Sequence, residues 1–244
     1  MTYLSLERAA FQSWTALEEQ RSPFGLLRSS GGYRKRSNSL VLTDLTRTPF
    51  EEVVDLTGEF YRQRSQPVLI RIPSFGTVAR FDDYLQQAGF ASVARSRVMT
   101  CALGFQHETG LPVTGVTKED WLDRYGRIYP ESVAHRRIHS QLLDQIPGEI
   151  CFAALESADG ETACCALGVL HQHFLSIYNV FTAARYRRHR FAGRLVRQLL
   201  TWGRQHRAAH ALLQVEERNL AALALYEKLG FRTSHWYWYR RRDK

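Results

Sequence analysis

The chain has 244 residues, of which 44% are hydrophobic and 23% are charged, and its formal net charge is +9. This length and composition indicate a globular protein with a real core, built as one large domain or two small ones. No run of residues approaches the roughly 18 apolar residues that a membrane span needs. The N-terminus also lacks the apolar core of a signal peptide. We therefore expect a cytoplasmic protein with no membrane partner.

Hydrophobic periodicity and turn signals predict the elements of the first part of the chain. Helices are predicted over residues 4–20, 49–64 and 79–90. A hairpin is predicted over 24–45, and strands over 67–72 and 92–105. The turn signal of the hairpin is Gly31-Gly32, and Gly89 ends the third helix. Polar residues with Gly and Pro predict a linker over 107–115.

The second part of the chain alternates more regularly. Helices are predicted over 117–129, 132–146, 191–206 and 220–230. Strands are predicted over 149–156, 162–170, 174–182, 211–215 and 234–241. Strands separated by helices indicate an α/β or mixed α+β sheet.

Two short segments resemble each other, "YLQQAGF" at 84–90 and "LYEKLGF" at 225–231. Each closes a predicted helix and is followed by a predicted strand. The matching order of elements upstream favours two divergent copies of one unit. Coincidence is the alternative, because helix, glycine, phenylalanine and strand often follow one another.

The four cysteines, Cys101, Cys151, Cys164 and Cys165, have no C-x-x-C spacing. We therefore expect no zinc site and no other metal. Reduced, mostly buried thiols are the expected state. Nothing near them in the sequence suggests a partner that would activate one for catalysis.

Positive charge is concentrated in the second part, where the net charge is +7, against +2 up to residue 110. The stretch "FTAARYRRHRFAGRLV", 181–196, holds five arginines and a histidine between a predicted strand and a predicted helix. The amides of a first helical turn have no intrahelical acceptor and face a positive dipole end, so they can bind phosphate. On these grounds alone, a phosphate loop, a solvated surface and a nucleic-acid contact stay open. No helix-turn-helix, zinc-finger or RNP-like pattern supports nucleic acid.

The residues downstream resemble the GNAT superfamily (general control non-repressible-related) of acetyl-CoA-dependent N-acyltransferases. That family's loop follows Gln/Arg-x-x-Gly-x-Gly/Ala, and the chain has "RRHRFA" at 187–192. The family then has a strand, an asparagine and a helix that ends Leu-Tyr-x-x-Leu-Gly-Phe. The chain has "LQVEERN" and "LAALALYEKLGF". The resemblance covers about residues 112–244, and "GLLRSSGGYRKRSNS" resembles the degenerate N-terminal half of tandem-GNAT proteins.

The resemblance implies a fold of two GNAT-like units, each a mixed, mostly antiparallel twisted sheet flanked by helices. The first, over residues 1–108, is degenerate, and the second, over 109–244, is catalytic. Leu85 stands where the second unit has Tyr226, and the first unit has no matching phosphate loop. It therefore keeps the shape without the chemistry, and either shapes the acceptor pocket or serves as packing.

The resemblance also implies which residues bind acetyl-CoA. Backbone groups that would bond the pantetheine arm are those of Val180, Phe181 and Thr182. Loop amides that would bind the pyrophosphate are those of Arg188, His189, Arg190, Phe191, Ala192 and Gly193. Asn219 matches a cofactor-contacting asparagine, and it also suits the N-cap of the next helix.

Tyr226 matches the family's general acid, which protonates the departing CoA thiolate. A phenol has a pKa near 10, so it stays protonated at neutral pH and can donate to sulfur. The alternative role is packing over the neighbouring Ala222 and Leu223. The family motif favours catalysis.

Two positions depart from the family pattern. Arg190 replaces the first loop glycine, which is unfavourable if that position needs a positive φ. Gln214 stands where some members have a glutamate base, and a neutral amide cannot accept a proton. An ordered water or Glu216, two residues on and on the same strand face, could take that part, although Glu216 also suits a solvated strand end.

Together these features predict an N-acetyltransferase that moves an acetyl group directly from acetyl-CoA to a small-molecule or peptide amine. The amide of Phe181 or Thr182 would polarise the thioester carbonyl. Nucleic acid is not an expected partner, and a monomer or homodimer is expected. The alternative is a catalytically weak acyl-CoA-binding or nucleic-acid-associated scaffold.

Overall fold

The computed structural model describes residues 2–45, 48–76, 78–104, 113 and 115–243. Helices in these ranges are α1 (Tyr3–Gln12), α2 (Phe50–Gln63), α3 (Ala79–Gln87), α4 (Lys118–Ile128), α5 (Val133–Gln145), α6 (Phe191–Gln205) and α7 (Leu220–Lys228). Strands are β1 (Glu18–Ser22), β2 (Gly25–Ser29), β3 (Leu40–Leu42), β4 (Val68–Pro73), β5 (Ala91–Ala102), β6 (Glu149–Glu156), β7 (Thr162–His171), β8 (Phe174–Thr182), β9 (His210–Glu216) and β10 (Arg232–Arg242).

The ten strands form one continuous sheet in the order β1-β2-β3-β4-β10-β5-β9-β8-β7-β6. Neighbouring strands are antiparallel except for β3 with β4 and β8 with β9, which are parallel. The predicted mixed, mostly antiparallel sheet flanked by helices is therefore confirmed.

The two halves of the sheet repeat one order of elements, three strands, a helix, a strand, a helix and a strand. Each half gives its last strand to the other: β5 pairs with β9, and β10 pairs with β4. An approximate two-fold axis between β10 and β5 therefore relates the strands of one half of the sheet to those of the other half. The predicted unit boundary at 108/109, and most of the predicted linker, lie outside the described residues.

The two similar segments found in the sequence end their helices in the same way. Gly89 and Gly230 both have positive φ, 81° and 88°. The amide of the following phenylalanine donates back to Leu85 O in one copy (2.9 Å) and to Tyr226 O in the other (3.0 Å). This shared C-cap supports the reading of two copies of one unit.

Helices cover the sheet in two layers. α2, α3, α6 and α7 pack on one face, against two hydrophobic clusters, and α1, α4 and α5 pack on the other. α1 is tied to the sheet by a buried ionic group, in which Glu7 accepts hydrogen bonds from Arg71 (2.7 and 3.0 Å) and bonds His235 Nε2 (2.7 Å). This bond set joins the first helix to β4 and β10.

One predicted element is wrong. The helix expected over 4–20 ends at Gln12, and Glu18–Ser22 form strand β1. The chain turns away because Ser13 and Trp14 bond elsewhere: the Ser13 hydroxyl meets Ser176 (2.7 Å), and the Trp14 indole donates to Ser37 (2.9 Å). The predicted hairpin over 24–45 is present as the pair β2–β3, which is short.

Candidate functional site

The parallel strands β8 and β9 separate toward their C-terminal ends. They pair only from Phe174 opposite His210 to Ile177 opposite Leu213, although β9 continues to Glu216. β8 stays paired with β7 across a register shift, where Asn179 has a φ of 50°. A bulge of this kind bends its strand. A cleft therefore opens beside the last residues of β8.

The bulge is held by a buried chain of hydrogen bonds. Asn179 Nδ2 donates to His139 Nε2 (3.0 Å), so His139 carries its proton on Nδ1, which donates to Glu131 (3.1 Å). Tyr33 (2.7 Å) and Arg34 (3.2 Å) also donate to Glu131. Burial would raise the pKa of Glu131, but these hydrogen bonds and charges outweigh burial and lower it. The first half of the chain thus helps to fix the strand that borders the cleft.

The basic loop follows β8 directly, as predicted. A short 3-10 turn over Ala184–Tyr186 leads to Arg188 and Arg190, whose φ angles are 68° and 63°. Arg190 is the N-cap of α6 and makes no side-chain cap. The position of the family's first loop glycine is therefore left-handed here, the conformation in which arginine is strained.

The first amides of α6 lie at this end of the cleft. Phe191, Ala192 and Gly193 form the first helical turn, whose N–H groups have no acceptor within the helix. α6 packs so closely on the sheet that a Cβ added to Gly203 would lie only 2.7 Å from a Leu175 methyl. The N-terminus of α6 therefore offers an anion both unpaired N–H groups and the positive end of the helix dipole.

The basic side chains of the loop are exposed. Within the described residues, no ion pair neutralises Arg187, Arg188 or Arg190. The outer side of the loop is braced instead, since Tyr186 donates to Asp159 (2.7 Å) and Arg185 pairs with Glu161 (3.0 Å). Several cations therefore face solvent at the end of the cleft.

Tyr226 lies on α7, within the core cluster between that helix and the sheet. Burial, together with nearby Cys164, raises the pKa of its phenol well above the ordinary value. Thr182, the last residue of β8, donates its hydroxyl to Cys164 Sγ (3.4 Å). Tyr226 and Cys164 belong to the same core cluster, against which Val180 of β8 also packs.

Asn219 has the structural role that the sequence allowed. Its side-chain oxygen accepts from the amide of Ala222 (3.2 Å) at the start of α7. The residue is exposed at the end of β9. A cofactor contact of its amide is compatible with this cap.

Gln214 and Glu216 point to the other face of the sheet, into a cavity of about 490 Å³ that Lys35, Arg36 and Arg241 also line. Gln214 accepts a hydrogen bond from Tyr237 (3.0 Å). Glu216 accepts one from the exposed Arg218 (2.6 Å). The cavity therefore contains one carboxylate at the end of β9, beside the opening between β8 and β9.

All four cysteines are buried, and they are thiols that form no disulfide. Burial raises the pKa of Cys164 to about 11 and that of Cys151 and Cys165 to about 12. These thiols are protonated at neutral pH and are poor nucleophiles. Across the described ranges, no helix combines the length and the apolar character needed to cross a bilayer. The same residues contain no group of three or more His, Cys, Asp or Glu side chains placed to hold a metal.

The family model described as "Probable histone acetyltransferase Rv0428c C-terminal" matches residues 4–240. The chain belongs to this family. The "Uncharacterized N-acetyltransferase YobR" of Bacillus subtilis (strain 168) is 24% identical over 234 residues, 93% of each chain. The resemblance to the GNAT superfamily is confirmed, and membership implies acyl-CoA-dependent acetyl transfer.

Solved structures of other GNAT proteins share the fold. A GCN5-related N-acetyltransferase from Kribbella flavida superposes with a TM-score of 0.62 at 15% identity, over 99% of this chain and 92% of that one. A tandem GNAT protein from the clavulanic acid biosynthesis pathway gives 0.63 at 11% identity, over 83% and 73%. Both support a GNAT fold that extends across both halves of the chain.

Nothing in the sequence indicated several of the residues around this candidate site. Glu131 and His139 gave no local signal, because the partner of His139, Asn179, lies 40 residues further along the chain. Tyr33 and Arg34 belong to "GGYRKR", which the sequence linked to tandem-GNAT proteins without a role. The hydrogen bonds of Tyr33 and Arg34 to Glu131 show that this loop packs against the second half of the chain.

Proposed function

We propose that the protein is an N-acetyltransferase that binds acetyl-CoA in the cleft between β8 and β9 and transfers the acetyl group directly to an amine. The observation that supports this most strongly is the separation of the two parallel strands directly before a basic loop and the N-terminus of α6. Acetyl-CoA would supply the activated thioester. In this proposal the cleft holds the extended pantetheine arm of acetyl-CoA, and the loop amides of residues 188–193 bind its pyrophosphate.

Thr182 is the better of the two predicted donors to the thioester carbonyl. The amide of Ala183 donates to Ala163 O on β7 (3.0 Å). Hydrogen-bonded and non-bonded pairs alternate along an antiparallel ladder, so the amide of Phe181 also faces β7 and that of Thr182 faces the cleft. A fixed amide here would stabilise the developing oxyanion.

Tyr226 is the proposed general acid. Its raised pKa keeps the phenol protonated throughout the neutral range. Tyr226 lies near Cys164, and the sulfur of Cys164 accepts a hydrogen bond from the hydroxyl of Thr182 at the end of β8. The phenol would therefore be close to a CoA thiolate that leaves at the end of β8. Direct transfer fits the protonated cysteines better than an acyl-cysteine intermediate would.

The acceptor amine would enter from the opposite face of the sheet, through the cavity that contains Glu216. A carboxylate there can hold the ammonium group and take its proton, directly or through water. The walls of the cavity include Lys35 and Arg36 from the first half. We therefore assign the first half to the acceptor site, and a cytoplasmic location stays a prediction.

A turnover screen tests this function. The protein is incubated with acetyl-CoA and a library of amines, and free CoA thiol is measured. We expect release of CoA that depends on one class of amine. If no amine is acetylated and acetyl-CoA does bind, an acyl-CoA-binding scaffold replaces the enzyme.

Replacing Arg190 by glycine should raise stability and weaken cofactor binding. A left-handed arginine costs about 1–2 kcal/mol, and glycine gives back about 0.5–1 kcal/mol in unfolded-state entropy. We expect Tm to rise by about 1–4 °C, measured by calorimetry. Arg194→Gly removes the same side chain from the exposed face of α6 and should lower Tm instead.

The same variant tests the role of the guanidinium. We expect the affinity of Arg190→Gly for CoA to fall, because a charge-assisted hydrogen bond to phosphate is lost. If the loss disappears with dephospho-CoA, the contact is to the 3′-phosphate. An affinity for CoA equal to that of the wild type would show that the Arg190 side chain makes no contact with CoA that contributes to binding.

A further inference from the structure

The cavity beside Glu216 has an unusual distribution of charge. Four cationic side chains line it, Arg34, Lys35, Arg36 and Arg241. Two of them already have carboxylate partners: Arg34 pairs with Glu131 and Arg241 with Asp243. Lys35 and Arg36 have no carboxylate partner among the described residues. The cavity is therefore lined by two cations that form no ion pair within the described residues.

Arg36 is held in place without an ion pair. Its guanidinium lies over the rings of Tyr178 (5.0 Å) and Trp14 (5.4 Å), both of which are buried. Its Nη1 atom is shielded from solvent and has no hydrogen-bond acceptor in the described part of the chain. An unsatisfied donor on a charged group costs free energy unless a ligand satisfies it. The stacking fixes the guanidinium at the wall of the cavity, where no carboxylate of the described residues pairs with it.

Glu216 supplies the opposite charge in the same cavity. It lies at the end of β9, on the side of the cleft between β8 and β9, whereas Lys35 and Arg36 lie in the loop that follows Gly31-Gly32. An ammonium group is favoured near the carboxylate, and an anionic group is favoured near the two cations. A volume of about 490 Å³ is in the range of small-molecule sites.

We infer that the acceptor is a small amine that also carries an anionic group, a carboxylate or a phosphate, which Arg36 and Lys35 bind while Glu216 faces the amine. This inference rests on the proposed acetyl transfer. It specifies the acceptor by chemistry: an amino acid, or an aminoalkyl phosphate, rather than a neutral amine. The first half of the chain then selects the substrate, although it lacks the catalytic tyrosine.

The test compares matched acceptors. Values of kcat/KM with acetyl-CoA are measured for the common amino acids, for their amides and for 2-aminoethyl phosphate. We expect an anionic acceptor to exceed its neutral counterpart by about 10- to 100-fold, the effect of one hydrogen bond to a charged group. Comparing the amino acids with 2-aminoethyl phosphate identifies whether a carboxylate or a phosphate is the anion that the site binds. Amides used as well as the acids would overturn the inference.

Variants locate the preference. Arg36→Gln and Lys35→Gln should each reduce it, mainly through KM, and Arg36→Lys should retain part of it. Arg62→Gln is the matched control, because Arg62 is exposed on α2 outside the cavity. Lys35 is exposed, so its substitution keeps the test valid if Arg36→Gln fails to fold. A preference that survives both substitutions to Gln would overturn the inference.

Calorimetric binding of the same probes separates this inference from the proposed function. If no amine is acetylated but an anionic probe binds and Arg36→Gln or Lys35→Gln abolishes that binding, the transfer is wrong and the anion site stands. If amines are acetylated without regard to charge, the transfer stands and the anion site is wrong. No binding of any anionic probe also overturns the site.

Discussion

Replacing Tyr226 by phenylalanine should lower kcat by about 10²- to 10⁴-fold, the usual contribution of one general acid. The phenol is buried beside Cys164 on the sheet, and its pKa is raised, so it is a proton donor at every neutral pH. Phenylalanine keeps the ring and its packing against Phe231 (5.9 Å between centroids). The CoA thiolate would then leave without a proton.

Acetyl-CoA affinity and stability should change little in Tyr226→Phe, because only the hydroxyl is removed. Steady-state kinetics, a calorimetric titration and a thermal melt measure the three quantities. Tyr84→Phe is a matched control on α3, the equivalent helix of the first half, where Leu85 takes the place of Tyr226. A kcat equal to the wild type would remove Tyr226 from the mechanism.

Replacing Glu7 by glutamine should destabilise the protein by about 3–5 kcal/mol, because Arg71 is left buried without its counter-ion. All three members of the group, Glu7, Arg71 and His235, are at most 5% exposed. They join α1 to two strands of the central sheet. Urea denaturation measures the loss, and Glu59→Gln, an exposed partner of Arg62 on α2, should cost no more than about 0.5 kcal/mol.

The same group gives a pH dependence. Burial alone would raise the pKa of Glu7, but the charge of Arg71 and hydrogen bonds from His235 and Arg71 lower it to about 2, from 4.5. A depressed carboxyl pKa contributes stability that is complete above about pH 4.5 and is lost as the pH falls toward 2. The contribution is about 3 kcal/mol.

We expect the stability difference between wild type and Glu7→Gln to shrink over this acid range. Taking the difference between the two proteins removes the contribution of other carboxyl groups that are common to both. A difference that stays constant from pH 5 to pH 2 would show that folding does not lower the pKa of Glu7.

The sequence predicted the second half of the fold closely because its elements have strong periodicity. α6 begins at Phe191 as expected, and its apolar positions pack against β7 and β8. The sequence also identified Arg190 as a position where a glycine would be preferred, and its φ of 63° explains why. Local patterns are sufficient where the element is long and its buried face is regular.

The errors have physical causes. β1 is a polar edge strand, "EEQRS", with almost no buried side, so it has neither alternation nor an apolar run. The exchange of β5 and β10 between the halves is invisible because periodicity encodes a buried face and not the strand's partner. The hydrogen bonds from Asn179 to His139 and from His139 to Glu131 join a strand to a helix and a loop that are distant from it in sequence. Such contacts depend on the topology.

A calorimetric titration of the protein with acetyl-CoA tests the central claim most directly. A cleft between β8 and β9 with a basic loop and helix amides at its end predicts one site per chain, with a Kd on the order of micromolar to submillimolar. Affinity should fall when Arg188 and Arg190 are both replaced by glutamate and should stay unchanged in Arg62→Glu. No binding at millimolar acetyl-CoA would contradict the account.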